Sequence, residues 1–214
     1  MQALEKVTIF ITRTKNGVTE LLLFEHPNAG IQIPAGTVEI GETPLEAALR
    51  EAKEETGLQE FENKTYIGLM KTSLPKDRFV VINRTKVFSR PDVTSFDWAQ
   101  FRRGIWVNSC NRAEDEFFQV EYKEDDRYPN PNYVTYKIMG WVPKECLSQE
   151  LVRHFYHFSF TGDTPAEWNQ FTDNHNFKLF WAPISELPNI VDPQRQWLDY
   201  ITNELGYNLN STTD

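Results

Sequence analysis

The stretch Thr43 to Gly57, TPLEAALREAKEETG, reads as one helix with both ends specified. Thr43 suits the N-cap, Pro44 the first helical position, and Glu46 completes a capping box. Gly57 suits the left-handed residue that closes a helix. At about 100° per residue, Leu45, Ala48, Leu49 and Ala52 share the face expected to pack on a sheet. Glu51, Glu54 and Glu55 fall together on the other side, because positions three and four apart are neighbours. Ala47 lies in that same arc one turn earlier, where its small side chain would leave room for a substrate.

The flanks read mostly as strands. Lys6 to Thr14 alternates apolar and polar residues, Asn16-Gly17 marks a turn, and Glu20 to Glu25 follows, which predicts a hairpin. Ile31 to Ile33 is a short strand ending at Pro34-Ala35-Gly36. Beyond the helix, Thr65 to Lys71 and Phe79 to Phe88 read as strands, then Leu151 to Phe160 and Phe177 to Ala182. A polar loop is expected from Thr161 to Asn176. Asp192-Pro193 starts a last helix carrying Trp197, Leu198, Ile201 and Leu205, and Gly206 ends it.

Residues 91–148 differ. Strand-like pieces at Gly104 to Val107, Phe117 to Tyr122 and Tyr133 to Trp141 surround a charged, Pro-rich turn, Lys123 to Pro131. Gly140-Trp141-Val142-Pro143, with Leu147, resembles the last strands of bacterial SH3-like modules. Either a small inserted β module or a long hairpin extension of the main sheet fits this spacing. The expected organisation is a main domain of 1–90 and 149–207, an insert of 91–148 and a polar tail of 208–214.

Composition narrows the partners. A formal net charge of -9 argues against DNA or RNA, which would need a basic stripe. A phosphate ligand stays open, because bound cations reverse the local sign. The longest apolar runs are strand-sized, so no membrane span is expected. Two cysteines, Cys110 and Cys146, are too few for a disulfide framework, and no signal peptide is evident, so the expectation is a reduced, cytoplasmic protein.

Three carboxylates on adjacent helical turns repel one another. A solvated acidic face would tolerate that; a hard divalent cation such as Mg²⁺ would resolve it, with water and phosphate oxygens completing its shell. The surroundings favour the cation. Gly36, Glu42, Arg50, Glu51, Glu54, Glu55 and Gly57, with aliphatic positions at Ala52 and Leu58, match every fixed position of the Nudix box. Ala52 is smaller than the branched residue of the strict pattern.

The chain therefore resembles Nudix hydrolases. The resemblance implies an α/β/α sandwich around a mixed sheet and hydrolysis of a phosphoanhydride in a nucleoside diphosphate linked to another moiety. It implies Glu51, Glu54, Glu55 and the Gly36 carbonyl as ligands of Mg²⁺ (or Mn²⁺), with Glu42, Arg50 and Gly57 shaping the box. Arg50 could also touch substrate. A helix glutamate, or an acid from a distant loop, would activate water. Among Asp163, Glu167 and Asp173 in the late loop, Glu167 is favoured beside Glu54 and Glu51 as a catalytic carboxylate. Trp168, from an aromatic group with Tyr156, Phe171 and Trp181, is the candidate to stack on a base.

Other candidates carry less. His154 and His157, three apart on a strand, should point to opposite faces. His26 and His175 sit in expected loops, and Pro75 reads as a turn. The alternative function is a catalytically silent Nudix-fold protein that binds or senses a nucleotide. A homodimer is an open arrangement.

Overall fold

The computed structural model describes residues 2–127, 130–172 and 174–206; Asp173 and the tail 208–214 lie outside them. In chain order the strands and helices are β1 (Leu4–Lys15), β2 (Val18–His26), β3 (Gly30–Gln32), β4 (Ala35–Thr37), α1 (Pro44–Thr56), β5 (Glu62–Ser73), β6 (Arg78–Val81), β7 (Thr85–Phe88), β8 (Asp97–Phe101), β9 (Trp106–Glu114), β10 (Phe117–Asp125), β11 (Val134–Pro143), β12 (Leu147–Ser148), β13 (Glu150–Ser159), β14 (Glu167–Thr172), β15 (His175–Pro183) and α2 (Leu198–Leu205). They form two compact units, Lys6–Leu69 with Arg153–Asp214, and Met1–Glu5 with Met70–Val152.

The first unit is built on a sheet of order β14-β15-β2-β1-β13-β5, with β3 added to β2 and β4 to β1. Asn16 and Gly17, at φ 52° and 80°, make the tight turn that fixes the β1–β2 register, Lys15 opposite Val18. Side chains alternate across the sheet, and both faces are apolar. Val7, Ile9 and Ile11 of β1 join Leu22, Phe24, Phe177 and Leu179 against Ala47, Ala48 and Ala52 of α1. On the other face Phe10 stacks on Phe155 at 6.2 Å, and Phe155 stacks on Tyr200 of α2 at 4.0 Å. A helix on each face of one sheet is the α/β/α arrangement the resemblance implied.

The second unit has its own sheet, of order β12-β6-β9-β10-β11-β7-β8. β10 lies between β9 and β11, with Phe117 opposite both Glu114 and Pro143. Its core gathers Phe79, Val81, Val87, Phe101, Val107, Val120 and Val142.

The structure differs from the expected boundaries in three places. Phe79 to Phe88 is two strands, β6 and β7, and both pair inside the second sheet. The β unit therefore starts near residue 70 instead of 91, and it is a sheet of its own, not an extension of the main one. The expected loop 161–176 contains β14, the end strand of the first sheet, with alternate residues exposed. Among the described residues no helix is long and apolar enough to cross a membrane.

Candidate active site

Helix α1 begins and ends where its chemistry places it. Thr43 Oγ1 accepts the Glu46 N–H at 3.3 Å, and the Glu46 carboxylate accepts the Thr43 N–H at 2.8 Å. At the other end Gly57 adopts φ 76° and donates its N–H to the Lys53 carbonyl. The last carbonyls, which a helix leaves unpaired, find side chains on β14: Trp168 Nε1–H reaches Thr56 O at 2.8 Å and Gln170 Nε2–H reaches Glu54 O at 3.0 Å.

The acidic side of the helix meets β4. An added Cβ on Gly36 would lie 1.8 Å from Oε1 of Glu51, so only glycine lets that carboxylate seat against the strand. Glu55 is buried at 8% exposure, and its Oε2 accepts the Ala35 N–H at 2.9 Å. Glu54 is the outward member, with its side chain 54% exposed.

Arg50 ties these groups together. Its Nε–H and one Nη2–H donate to the two oxygens of Glu42, at 2.7 and 3.0 Å, and Nη2 also reaches the Thr37 carbonyl at 3.1 Å. Nη1 lies 2.9 Å from Glu51 Oε1 and 3.2 Å from Glu54 Oε2. The hydrogen bonds from Arg50 hold the Glu42 carboxyl below its ordinary range, helped by the Glu39 N–H. The same contacts, Glu42 first, raise the Arg50 guanidinium above its usual value. Box loop and helix are thus clamped by a two-pronged Arg–carboxylate contact.

The sequence reading of the helix faces needs correction. Ala47 is fully buried in the core under α1 and gives a substrate no room. Leu45, expected to pack, is 38% exposed. The helix approaches the sheet through its alanines, because small side chains permit close packing, and this turns Glu51 and Glu55 toward β4 instead of open water.

The late-loop residues also fall differently. Glu167 sits at the start of β14, on the face opposite Trp168 and Gln170, and its carboxylate pairs with Lys178 at 2.8 Å. It therefore points away from α1. Trp168 commits its N–H to the helix and its ring to the core cluster, which is an anchoring position. Asp163 neighbours Arg13 and Lys15, whereas Gly36 pairs with Val7, so the two are about 20 Å apart along β1. Asp173 lies outside the described residues. His157 is buried on Thr12, while His154 stands beside Tyr66. His26 and His175 meet with ring centroids 4.8 Å apart. Cys110 and Cys146 are free thiols.

Sequence reading missed Gln170 and Ala35 as partners of the box. The alternation in Glu167-Trp168-Asn169-Gln170-Phe171-Thr172 could have revealed the strand that brings Gln170 to the helix.

Among the described residues, no three His, Cys, Asp or Glu side chains are gathered so as to hold a metal ion. Arg50 already stands between Glu51 and Glu54 as their counter-charge. The donor types nonetheless fit a hard divalent cation: three carboxylates carried on one helix, and a glycine whose missing Cβ makes space for one of them. The chemistry of the donors is right, and their side chains are turned to protein partners.

Comparison with known proteins then gives a match. The family model of the NUDIX domain covers residues 4–97. The Bacillus subtilis (strain 168) protein YtkD, named for an 8-oxo-dGTP diphosphatase, is 45% identical over 62 residues, which are 29% of this chain and 38% of that protein. The NUDIX domain of Shewanella oneidensis NrtR, crystallised with ADP ribose, is similar over 96% of this chain and 90% of its own, with 11% identity and a TM-score of 0.49. A NUDIX hydrolase from Nitrosomonas europaea covers 100% and 97%, with 14% identity and a TM-score of 0.48.

Proposed function

The chain carries a NUDIX domain and belongs with the Nudix hydrolases, and from that premise we propose that it is a pyrophosphohydrolase acting on a nucleoside diphosphate linked to another group. The observation that carries the reading is the seat of Glu51 on Gly36, where a side chain of any other residue would collide with the carboxylate. That contact seats a carboxylate against the backbone of β4 at Gly36.

In this reading Glu51, Glu54 and Glu55, with the Gly36 carbonyl, would hold Mg²⁺ or Mn²⁺. Such an ion supplies charge neutralisation for a diphosphate and a more acidic water. The chain's own residues do the rest. Arg50 reaches both Glu51 and Glu54 and offsets their mutual repulsion. Its grip on Glu42 and the Thr37 carbonyl fixes the loop that carries Gly36 toward the helix. Glu54, exposed at the mouth of the group, is the carboxylate best placed to take a proton from water. Glu167 has no part in this assignment, since it faces away and is paired with Lys178.

One observation favours the silent, ligand-binding alternative: Glu51 pairs with Arg50 and Glu55 accepts the Ala35 N–H, so both carboxylates have protein partners. A panel decides between them. The full chain is incubated with dinucleotides, nucleotide sugars and nucleoside triphosphates, with Mg²⁺, with Mn²⁺ and with chelator, and phosphorylated products are measured. Metal-dependent cleavage of one class supports the hydrolase. Tight binding with no cleavage across the panel favours the sensor.

A further inference from the structure

The chain enters the box through a buried crossing. β3 pairs with β2 and β4 pairs with β1, so between Gln32 and Ala35 the backbone leaves one strand for another and the ladder is interrupted. Ile33 stands in that gap at 0% exposure. A buried N–H away from water needs an acceptor. Here the acceptor comes from 161 residues away: Gln194 Oε1 takes the Ile33 N–H at 2.6 Å.

Gln194 is itself buried, in the turn Gln194–Trp197 that leads into α2. Its own N–H donates to the Val191 carbonyl at 2.9 Å, and its Nε2–H reaches Gln32 Oε1 at 3.4 Å. The residues before it hold β3 as well. Ile190 bridges to Ile31, the Val191 N–H donates to the Ile31 carbonyl at 3.0 Å, and Val191 Cγ1 lies 2.8 Å from where a Cβ on Gly30 would stand. Trp197 anchors the turn on the α2 face of the sheet, its ring 6.0 Å from that of Phe155.

From Ile33 onward each residue that leads into the box is held. The Pro34 carbonyl accepts the Ile9 N–H at 2.9 Å, the Ala35 N–H goes to Glu55, Gly36 receives Glu51, and the Thr37 carbonyl accepts from Arg50. Helix α1 thus holds Ala35 to Thr37, β1 holds Pro34, and the C-terminal segment holds Ile33. The Gly36–Glu51 fit leaves no slack, because the carboxylate fills the place of the missing Cβ. Removing the Gln194 acceptor would leave a buried donor unpaired, and the crossing would have to shift to find another partner. Gly36 lies three residues further along the same backbone.

We propose that Gln194 is a positioning residue for the box: by fixing the Ile33 N–H it sets how Gly36 meets Glu51, and through that how tightly the carboxylates take a divalent cation. The proposal rests on the hydrolase reading for the nature of the site, and the tether itself does not. Gln194 touches neither cation nor substrate. Loss of an outer group that orients metal ligands typically weakens the metal roughly 10- to 100-fold.

The test is calorimetric titration of the full chain with Mn²⁺ alone, beside hydrogen exchange at the Ile33 amide and a melting curve. It compares Gln194→Met, which keeps the length and removes the acceptor, with Gln194→Glu, which restores an acceptor. Ile201→Val, a core change in α2, is the control for general stability. Gln194→Met should weaken Mn²⁺ roughly tenfold and speed exchange at Ile33, and Gln194→Glu should recover most of both. Ile201→Val should melt lower than the parent with its Mn²⁺ affinity unchanged. If Gln194→Met does not fold, Gln194→Asn, one methylene short of Ile33, takes its place. Unchanged Mn²⁺ affinity in Gln194→Met overturns the positioning role and leaves the hydrolase reading standing. An equal loss of affinity in Ile201→Val also overturns it, because the effect would then be one of stability alone. Exchange at Ile33 as slow in Gln194→Met as in the parent removes the tether. No Mn²⁺ binding by the parent overturns the hydrolase reading, and the positioning role falls with it.

Discussion

Gly36 and Glu51 are fitted to one another: a Cβ on the first would stand 1.8 Å from the carboxylate oxygen of the second. Gly36→Ala therefore must expel Glu51 from its seat or push β4 off the helix. If Glu51 serves as a ligand, the metal affinity or the turnover should fall roughly 10- to 100-fold, the usual effect of disturbing the surroundings of a ligand. Metal titration of activity measures this, and circular dichroism checks that the helix is intact. Full activity in Gly36→Ala would remove the carbonyl and its seated carboxylate from the site.

Glu54 makes the cleaner catalytic test because it is exposed and its loss leaves no buried group unpaired. Glu54→Gln should lower kcat by about 10² or more, the scale of an acid–base contribution. Its melting temperature should stay close to that of the parent. Unchanged kcat would strip Glu54 of its role, and the buried Glu55 would become the next carboxylate to test.

The Glu42–Arg50 clamp gives stability a pH dependence. The Arg50 hydrogen bonds depress the Glu42 pKa from its ordinary 4.5. A depressed carboxyl stabilises the fold above its unfolded value and loses that benefit as pH falls through the folded value. Glu42→Gln should thus melt lower than the parent at pH 7, and the gap should narrow below pH 4.5. A gap that stays constant down to acid would show that the charge on Glu42 is not what braces the loop.

Trp168 separates anchoring from stacking. Trp168→Phe keeps a ring but loses the bond to the Thr56 carbonyl, worth about 1 kcal/mol. That predicts a fall of roughly 2–4 °C in melting temperature for a chain of this size. An anchor's loss leaves KM for the best substrate unchanged. A several-fold rise in KM with no loss of stability would restore the base-stacking role.

Much of α1 was legible because its signals are local. Thr43, Pro44, Glu46 and Gly57 each act on backbone groups within one turn, and all four stand where the spacing put them. Helix orientation was legible only in part: Ala48, Leu49 and Ala52 pack as expected, and the edges of the face do not. Periodicity gave Leu45 to the core and Ala47 to the solvent side, and the reverse holds, because the sheet selects the face that packs most closely and alanine loses nothing by burial. The second sheet escaped for a related reason. Phe79 to Phe88 looks like a strand wherever it is placed, and only pairing with β9, β11 and β12 assigns it to residues 70–152. Partnership across distant segments also decided the fate of Glu167, whose acidity was visible and whose direction was not.

His157 supplies a pH test away from the box. Its ring is buried at 8% exposure and lies 2.7 Å from Thr12 Oγ1. Burial disfavours the imidazolium and pulls the pKa below 6.5, with the charge of Glu204 opposing only in part. The unfolded chain thus takes up a proton first as pH falls. Stability from this residue is complete above pH 6.5 and is lost progressively below it, toward the folded value. His26 is shifted the same way, by burial and then by His175, so it adds its own share over the same range. His157→Gln can keep a partner for Thr12 and does not titrate. Its melting temperature should fall less between pH 7.5 and pH 5.5 (chosen to lie about one unit either side of a free imidazole) than that of the parent, and the remaining slope should shrink again when His26→Gln is added. Parallel curves for parent and His157→Gln would mean the ring takes up its proton as readily in the fold as in the unfolded chain, and burial would not be what sets its state.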